Sequence, residues 1–402
     1  MKIGIISENP LLNDKRVPLL PEQIKELHLF YPDLQILVQA SHHRCIADQA
    51  YIDEGIKVKE DISECDYFMS INPPEAQQLI PLKSYLFFSE WIHQKPENRA
   101  LLKAALQRKI KVIDYECITN QMGQKMVDFG RFSGIVGAYD SILAYGRRYK
   151  LFQLKPALMC KDIQEIRWEF NKVKLPPIKI VVTGLGNVVQ GIDEVLQSMG
   201  IQPVNAEGFL TRSYNKPVYT ILRSAHYYRD KSRKEWDARA FYENPENFEA
   251  DFLKYASVAH IFVRAHHSSP LLAPLFTKED MQSPSFKIKV ICDVACGISP
   301  LLPESLRNAT LENPFYDFNP RTNTIEESFS SENHVTVMAV ENLSAELPLD
   351  ASRHFGKQLL SELLPAMMNS ETDKILQRAT LVENGRIMPG FLFLERYLQG
   401  KD

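Results

Sequence analysis

Two patterns of apolar and polar positions alternate in the first part of the chain. Short apolar runs bounded by polar residues predict buried strands at 2–6, 34–40, 56–60, 65–71, 84–89 and 110–115. Segments 21–30 and 98–109 instead repeat their apolar residues every three or four positions, which is the spacing of one helix face. Strands that alternate with helices in this way predict parallel α/β units.

A second series of the same kind begins after the break at residues 175–177, LPP. Its first strand is predicted at 178–183, followed by strands at 260–265, 288–296 and 334–340 and an amphipathic helix at 351–367. Residues 302–334 are rich in proline, asparagine, glutamate and serine. We predict that they form an irregular crossing segment.

Small residues recur every three or four positions between the two series, among them Gly130, Gly134 and Gly137. They predict a helix near 130–150 that approaches another element closely. The simplest organisation has two domains. Residues 1–134 and 320–402 form the first, and residues 135–319 form a nucleotide-type domain inserted in it.

Composition narrows the class of protein. The chain has 402 residues, 45% of them hydrophobic and 24% charged, which is typical of a soluble protein too long for one core. A net charge of −3 without a basic block argues against a nucleic-acid partner. The six scattered cysteines predict reduced thiols and no metal site. Because no stretch reaches ~18–20 apolar residues or resembles a signal peptide, we expect a cytoplasmic protein without a membrane contact.

The segment 181–191, VVTGLGNVVQG, places a glycine turn between a buried strand and a helix. This context suits a turn that binds the pyrophosphate of a dinucleotide. The candidate residues are Gly184, Gly186, Asn187 and Gly191. The third glycine of G-x-G-x-x-G would fall at Val189, so the residues alone leave a tight strand-to-helix corner equally open. Asn205 stands about twenty residues on, where a ribose contact is expected, and the choice between NAD and NADP stays open.

These motifs occur in the order and spacing of a known family. The sequence resembles the saccharopine dehydrogenase (lysine-forming) and lysine–ketoglutarate reductase group, which is similar in architecture to alanine dehydrogenase. The matching segments are 14–27, 71–75, 84–92, 113–118, 127–138, 182–191, 291–297, 308–320 and 337–356. The resemblance implies an α/β fold of two Rossmann-like domains with parallel sheets and an interdomain cleft, the second domain inserted in the first.

The resemblance also implies an activity. It is reversible, NAD(P)-dependent hydride transfer at the secondary amine carbon of saccharopine, which yields lysine and 2-oxoglutarate. An amino-acid or keto-acid substrate is therefore expected. The protein is expected to be a monomer or a homodimer. The residues implied for substrate carboxylates are Arg16, Lys125 and Arg131. Glu116 matches a family glutamate at a strand end, and Asp293 is expected in the cofactor site.

Three positions depart from the family's acid/base groups. Asn72 stands near the family's lysine, Glu90 replaces its histidine, and Gly297 replaces its second aspartate. Two hypotheses follow. Glu90 acts as a replacement base, with His93 or Lys83 supplying the proton. Alternatively, the protein is a catalytically degenerate relative that binds a nucleotide or metabolite without turning it over.

Overall fold

The computed structural model describes residues 1–266, 271–295, 309–368 and 374–400, which form two compact α/β units. The strands, in chain order, are β1 (Lys2–Ile5), β2 (Gln35–Gln39), β3 (Lys57–Lys59), β4 (Tyr67–Met69), β5 (Ser84–Phe87), β6 (Lys111–Asp114), β7 (Lys179–Thr183), β8 (Gln202–Pro203), β9 (Val218–Leu222), β10 (Tyr228–Asp230), β11 (Phe248–Ala250), β12 (Ile261–Arg264), β13 (Val290–Asp293), β14 (Phe315–Asn319), β15 (Thr324–Glu326), β16 (Val335–Met338), β17 (Thr380–Glu383) and β18 (Arg386–Ile387).

The helices contribute the layers that cover these strands. In chain order they are α1 (Pro21–Phe30), α2 (Asp48–Asp53), α3 (Arg99–Gln107), α4 (Gly130–Arg148), α5 (Ile163–Glu169), α6 (Asn187–Ser198), α7 (Ala206–Thr211), α8 (Ser224–Tyr227), α9 (Ala238–Glu243), α10 (Leu253–Ala256), α11 (Lys278–Gln282), α12 (Pro348–Gln358), α13 (Leu364–Met368), α14 (Lys374–Ala379) and α15 (Phe393–Leu398). A π-helical turn, Leu359–Leu363, joins α12 to α13. Among the helices of the described segments, none is long and apolar enough to cross a membrane.

The first unit contains a doubly wound sheet. Its strand order is β18-β17-β6-β5-β4-β1-β2-β3, and β3 to β6 are parallel throughout. The order 3-2-1-4-5-6 of the parallel strands is that of a Rossmann fold, with its switch point between β1 and β4. In β5 the consecutive residues Tyr85, Leu86 and Phe87 are all buried, because both faces of the sheet are removed from water.

The second unit repeats this arrangement. Its sheet has the order β15-β14-β16-β13-β12-β7-β9-β8, with parallel pairing from β16 to β8 and a switch point between β7 and β12. Together the two sheets confirm the predicted fold class of two Rossmann-like domains with mainly parallel sheets. The second unit lies within the first along the chain, as expected.

The prediction for residues 302–334 was wrong for its described part. Residues 315–326 form the antiparallel pair β14–β15, and β14 also pairs with β16. Tyr316 and Phe318 are buried on alternate positions, and the polar Asp317 between them accepts a hydrogen bond from Thr336 Oγ1 at 2.7 Å. The buried aspartate interrupts the apolar pattern, which is why the strand was not recognised.

The boundaries between the two compact units differ from the predicted domain limits of 134 and 320. The first comprises Met1–Phe129 and Pro348–Asp402, and the second comprises Gly130–Leu347. Strands β14 to β16 complete the second sheet, so the chain cannot return to the first unit before they end.

Helices α4 and α6 cross at a pair of glycines. A Cβ atom on Gly134 would lie 1.9 Å from the carbonyl oxygen of Val188, and one on Gly191 would lie 2.0 Å from that of Arg131. Only glycine permits this distance, because any side chain would overlap the opposing backbone. The predicted close approach of the helix near 130–150 is confirmed.

Candidate catalytic and nucleotide-binding residues

The predicted residues of the first unit lie at one edge of its sheet. Each follows the carboxyl end of a strand: Arg16 after β1, Glu90 and His93 after β5, and Glu116 and Lys125 after β6. Because these strands are parallel, their carboxyl ends meet at the edge where doubly wound sheets bind ligands. Lys83, considered as a proton donor, directly precedes β5 and therefore lies at the opposite edge.

Three of these residues form one hydrogen-bonded cluster. His93 Nε2 lies 3.0 Å from Glu116 Oε2 and 3.2 Å from Glu116 Oε1. Lys125 Nζ donates to Glu116 Oε1 at 2.7 Å. The Glu116 side chain is 13% exposed and that of His93 is 26% exposed, so both are partly shielded from water while His93 keeps access to it.

The contacts in the cluster raise the pKa of His93 and lower the pKa of Glu116. The hydrogen bond with Glu116 raises the pKa of His93, although burial opposes it. Burial acts to raise the pKa of Glu116, but the His93 hydrogen bond and the Lys125 charge outweigh it and hold this pKa at about 2. Glu116 is therefore a permanent carboxylate at neutral pH. His93 is the member that can give and take a proton, with Glu116 fixing the ring.

A buried aspartate that was not anticipated as a site residue holds this cluster in place. Asp114, the last residue of β6, accepts from the Glu116 amide at 2.8 Å and from the Ser89 amide at 3.2 Å, and also from the Ser89 hydroxyl. Burial raises the pKa of Asp114 to about 6. Asp114 thus ties the loop after β5 to the loop after β6. The available signal was an acidic residue at the end of an apolar strand.

Glu90 does not join the cluster. Its carboxylate pairs with Lys95 Nζ at 2.9 Å, and its side chain is 42% exposed. Its backbone is left-handed, with φ 55°, which starts the short 3-10 helix Trp91–His93. That helix turns His93 towards Glu116, so the predicted pairing of Glu90 with His93 is not formed in this structure.

Arg16 is engaged within its own segment. Its Nε lies 2.9 Å from Asp14 Oδ1 and its Nη2 lies 2.5 Å from Asp14 Oδ2, and its guanidinium lies 4.1 Å from the centre of the Phe129 ring. Both charged side chains are less than 5% exposed. The fork geometry expected to bind a substrate carboxylate is therefore used by Asp14.

Asn72 links two buried carboxyl groups. Its Nδ2 donates to Glu8 Oε2 at 3.1 Å and to Asp14 Oδ2 at 2.9 Å. Backbone amides of Ile71 and Asn72 also donate to Glu8. Burial raises the pKa of Glu8 to about 7 despite these hydrogen bonds. Glu8 follows β1 and Asn72 follows β4, so this hydrogen-bonded linkage occupies the switch point of the first sheet.

The glycine turn occupies the switch point of the second sheet. Gly184 has φ +129°, and a Cβ there would lie 2.6 Å from the carbonyl oxygen of Ala265, which follows β12. Gly186 has φ +87°, and a Cβ there would meet no atom of the described chain within 4 Å. Asn187 is the first residue of α6. The turn thus presents backbone and open space at the N-terminus of α6.

Two predicted nucleotide contacts have other roles. Gly191 lies in the second turn of α6, beyond the helix's first amides, and faces α4. Asn205 Oδ1 accepts from the Gly208 amide at 2.7 Å and caps α7. Its strand, β8, is at the sheet edge and is separated from β7 by β9. Neither residue is placed to contact a nucleotide at the glycine turn.

Asp293 and Arg131 are held in ion pairs of the second unit. Asp293 forms a bidentate pair with the buried Arg264, at 2.7 Å from Nε and 2.9 Å from Nη2, across the ends of β12 and β13. Arg131 Nη2 lies 2.5 Å from Glu194 Oε2 on α6. Both side chains therefore have a structural role as members of ion pairs within the second unit. Gly297, where the family has its second aspartate, lies outside the described residues.

Solved structures share the fold of this chain. Over 99% of its length the chain superposes on L-alanine dehydrogenase, covering 100% of that structure with a TM-score of 0.64 at 16% identity. It also superposes on the transhydrogenase from Sinorhizobium meliloti, with a TM-score of 0.57, 15% identity and coverage of 97% and 100%. Residues 4–136 match the alanine dehydrogenase/PNT N-terminal domain family.

Sequence comparison identifies particular homologues. The chain is homologous to alpha-aminoadipic semialdehyde synthase: it is 24% identical to the Arabidopsis thaliana protein over 440 residues, which cover 98% of this chain and 41% of that protein. It is also 24% identical to the mitochondrial Rattus norvegicus protein over 441 residues, covering 97% and 47%. The chain therefore spans less than half the length of these relatives. The resemblance found in the sequence is confirmed at the level of homology.

Proposed function

We propose that the protein is an NAD(P)-dependent oxidoreductase that transfers a hydride at the C–N carbon of an amino-acid-derived amine or imine. The observation that carries this proposal is the turn Gly184–Gly186, which lies at the switch point of a doubly wound sheet and opens onto the N-terminus of α6. Ligands of such sheets bind outside the carboxyl ends of the strands at this point. The dehydrogenase fold and the homology support the same class.

The residues around the turn fit a dinucleotide. A pyrophosphate needs backbone amides at a helix N-terminus and no side chain between them and the ligand. Gly186 leaves this space open, and Leu185 is 60% exposed beside it for apolar contact. NAD or NADP would be held by Gly184, Gly186 and Asn187. When bound, it supplies or accepts the hydride.

Residues of the first unit serve the proton and the substrate. His93 exchanges a proton with the substrate nitrogen or with water, and Glu116 keeps its ring oriented and protonated. Lys125, whose side chain is 45% exposed, offers a cation to a substrate carboxylate. The proposed substrate is saccharopine, or lysine with 2-oxoglutarate in the reverse direction. We propose that the protein is cytoplasmic and a monomer or homodimer.

The experiment is a titration of the purified chain with NADH and NADPH, followed by turnover with lysine plus 2-oxoglutarate and with saccharopine. We expect Gly186→Val to weaken nucleotide binding by at least about tenfold, because its side chain enters the phosphate space. Gly200→Val is the matched control. Gly200 has φ +76° with no atom of the described chain within 4 Å of a Cβ, so it carries similar backbone strain away from the turn. Equal losses in both variants would contradict the assignment.

A second candidate function is nucleotide or metabolite binding without catalysis. Asn72 favours it, because an amide at the position of the family's lysine cannot exchange a proton and instead holds Glu8 and Asp14. Tight binding of NADH or NADPH with no turnover of any amino acid and keto acid pair would support this candidate. Turnover that is lost in His93→Gln would support the oxidoreductase.

A further inference from the structure

We propose that Arg223 makes the nucleotide site selective for NADP(H) over NAD(H). This inference rests on the proposed function and concerns the same site. In Rossmann folds this preference is decided at the end of the strand next to the one that precedes the glycine turn. An acidic residue there binds the ribose 2′-hydroxyl of NAD, and an arginine accommodates the 2′-phosphate of NADP.

The neighbouring strand is β9, although β8 comes first in the sequence. All five residues of β7 pair with β9, from Lys179 with Val218 to Thr183 with Leu222. The Gly184 amide then donates to the Leu222 carbonyl at 3.0 Å. The residue after Leu222 is Arg223, so its backbone stands directly beside the glycine turn.

The other basic candidate lies at the wrong edge of the sheet. Arg212 directly follows α7, and its carbonyl accepts from Lys179 Nζ at 2.8 Å. Lys179 is the first residue of β7, whereas the glycine turn follows the last one. Five residues of extended strand separate the two ends by roughly 13 Å. Arg212 is therefore remote from the turn, as is Asn205, which caps the same helix.

Arg223 has the properties that a 2′-phosphate requires. Its side chain is exposed, and it forms no ion pair with any residue in the described part of the chain. Ser224 follows it with a hydroxyl donor, and residues 218–227, VYTILRSAHY, contain no aspartate or glutamate. An acidic side chain that would select NAD and repel a phosphate is thus missing from this segment, and a guanidinium stands in its place.

The test compares Kd values of the full chain for NADPH and NADH by titration calorimetry, with 2′,5′-ADP as a probe for the phosphate contact alone. We expect wild type to bind NADPH more tightly. Arg223→Ala should weaken NADPH and 2′,5′-ADP by about 10- to 100-fold, the loss of one or two charge-assisted hydrogen bonds. NADH affinity should stay nearly unchanged. Arg212→Ala, the matched control, should change neither nucleotide.

The outcomes distinguish a failure of the proposed NADP(H) selectivity from a failure of the proposed oxidoreductase function. If wild type binds both nucleotides equally, or prefers NADH, or if Arg223→Ala leaves the ratio of the two Kd values unchanged, the selectivity is overturned and the dinucleotide site remains. If neither nucleotide binds, the proposed function itself fails. Because Arg223 is exposed, circular dichroism of the variant should match wild type, which separates a lost contact from a lost fold.

Discussion

His93, Glu116 and Lys125 show how two charged neighbours set the proton affinity of one imidazole. Glu116 raises the pKa of His93, and Lys125 lowers it by charge repulsion. We therefore expect Glu116→Gln to lower the pKa of His93 and Lys125→Met to raise it. The measurement is an NMR titration of the His93 Cε1 resonance, assigned by comparison with His93→Gln.

The opposite signs make this pair of variants its own control. A general loosening of the loops after β5 and β6 would move the His93 pKa in the same direction in both variants. A shift of the same sign in both would therefore contradict the cluster geometry. If the protein is active with His93 as general acid, the limb on which kcat/KM falls with rising pH should move to lower pH in Glu116→Gln.

The strands predicted at 84–89 and 110–115 end next to Glu90 and Glu116, but nothing in the sequence paired Glu116 with His93. The rule that parallel strands end together brings Glu90, His93 and Glu116 to the same side. Which carboxylate meets His93 depends on the left-handed backbone at Glu90 and on the Asp114 contacts, neither of which leaves a periodic signal. The partner of Arg16 likewise follows from a local loop conformation, so its role in an ion pair could not be read from spacing.

At the scale of elements, the crossing of α4 and α6 depends on two glycines that face opposing backbone. Gly191→Ala would put a methyl group 2.0 Å from the Arg131 carbonyl, so the helices must separate. Alanine normally stabilises a helix relative to glycine, yet here we expect a loss of about 1–3 kcal/mol from overpacking. Chemical denaturation followed by circular dichroism measures the change.

Gly390→Ala is the control for this prediction. Gly390 has no atom of the described chain within 4 Å of a Cβ and no left-handed backbone, so the substitution should be neutral or slightly stabilising. A stabilised Gly191→Ala variant would show that the helices can move apart without cost and would refute the packing role.

Most of the parallel strands were predicted from the sequence, but the parallel strand β9 and the antiparallel additions were not. The hairpin β17–β18 was not predicted, although its Asn384–Gly385 turn has φ 53° and 77°, the left-handed pair favoured by two-residue hairpins. The position of β9 beside β7 also escaped sequence reasoning. Strand order depends on which strand fits against β7 across the sheet, and chain order carries no such information.

At the scale of the whole molecule, each unit carries its own switch point, and the two are chemically different. The first is filled by Glu8, Asn72 and Asp14, which bind one another. At the second, a Cβ on Gly186 would meet no atom of the described chain within 4 Å, so the glycine turn is open there. The proposed function accordingly uses the second switch point for the nucleotide and takes its proton donor, His93, from the loop after β5 of the first unit.

Buried acids in both units couple the stability of the molecule to pH. Burial raises the pKa of Glu8 and Asp140 to about 7 and that of Asp114 to about 6. It also raises the pKa of Glu346 well above its ordinary value, and the charge of Asp140 adds to this effect. A carboxyl whose pKa is higher folded than unfolded stabilises the fold fully at low pH. This stabilisation is lost as pH rises from the unfolded pKa, near 4, through the folded one.

Asp140→Asn tests this coupling, because it removes one member of the buried Asp140 and Glu346 pair. Asp140 Oδ2 and Glu346 Oε1 are buried without a hydrogen-bond partner among the described residues, so ionisation there is poorly compensated. We expect the stability of the variant relative to wild type to rise by on the order of 1–3 kcal/mol between pH 5 and pH 8, because folded Asp140 ionises in this interval while the unfolded chain is already ionised at pH 5. Asp33→Asn, at an exposed turn, should follow wild type at both pH values. The measurement is the Tm of the three proteins across this range. An Asp140→Asn curve parallel to wild type would mean that the pair is not protonated in the folded chain.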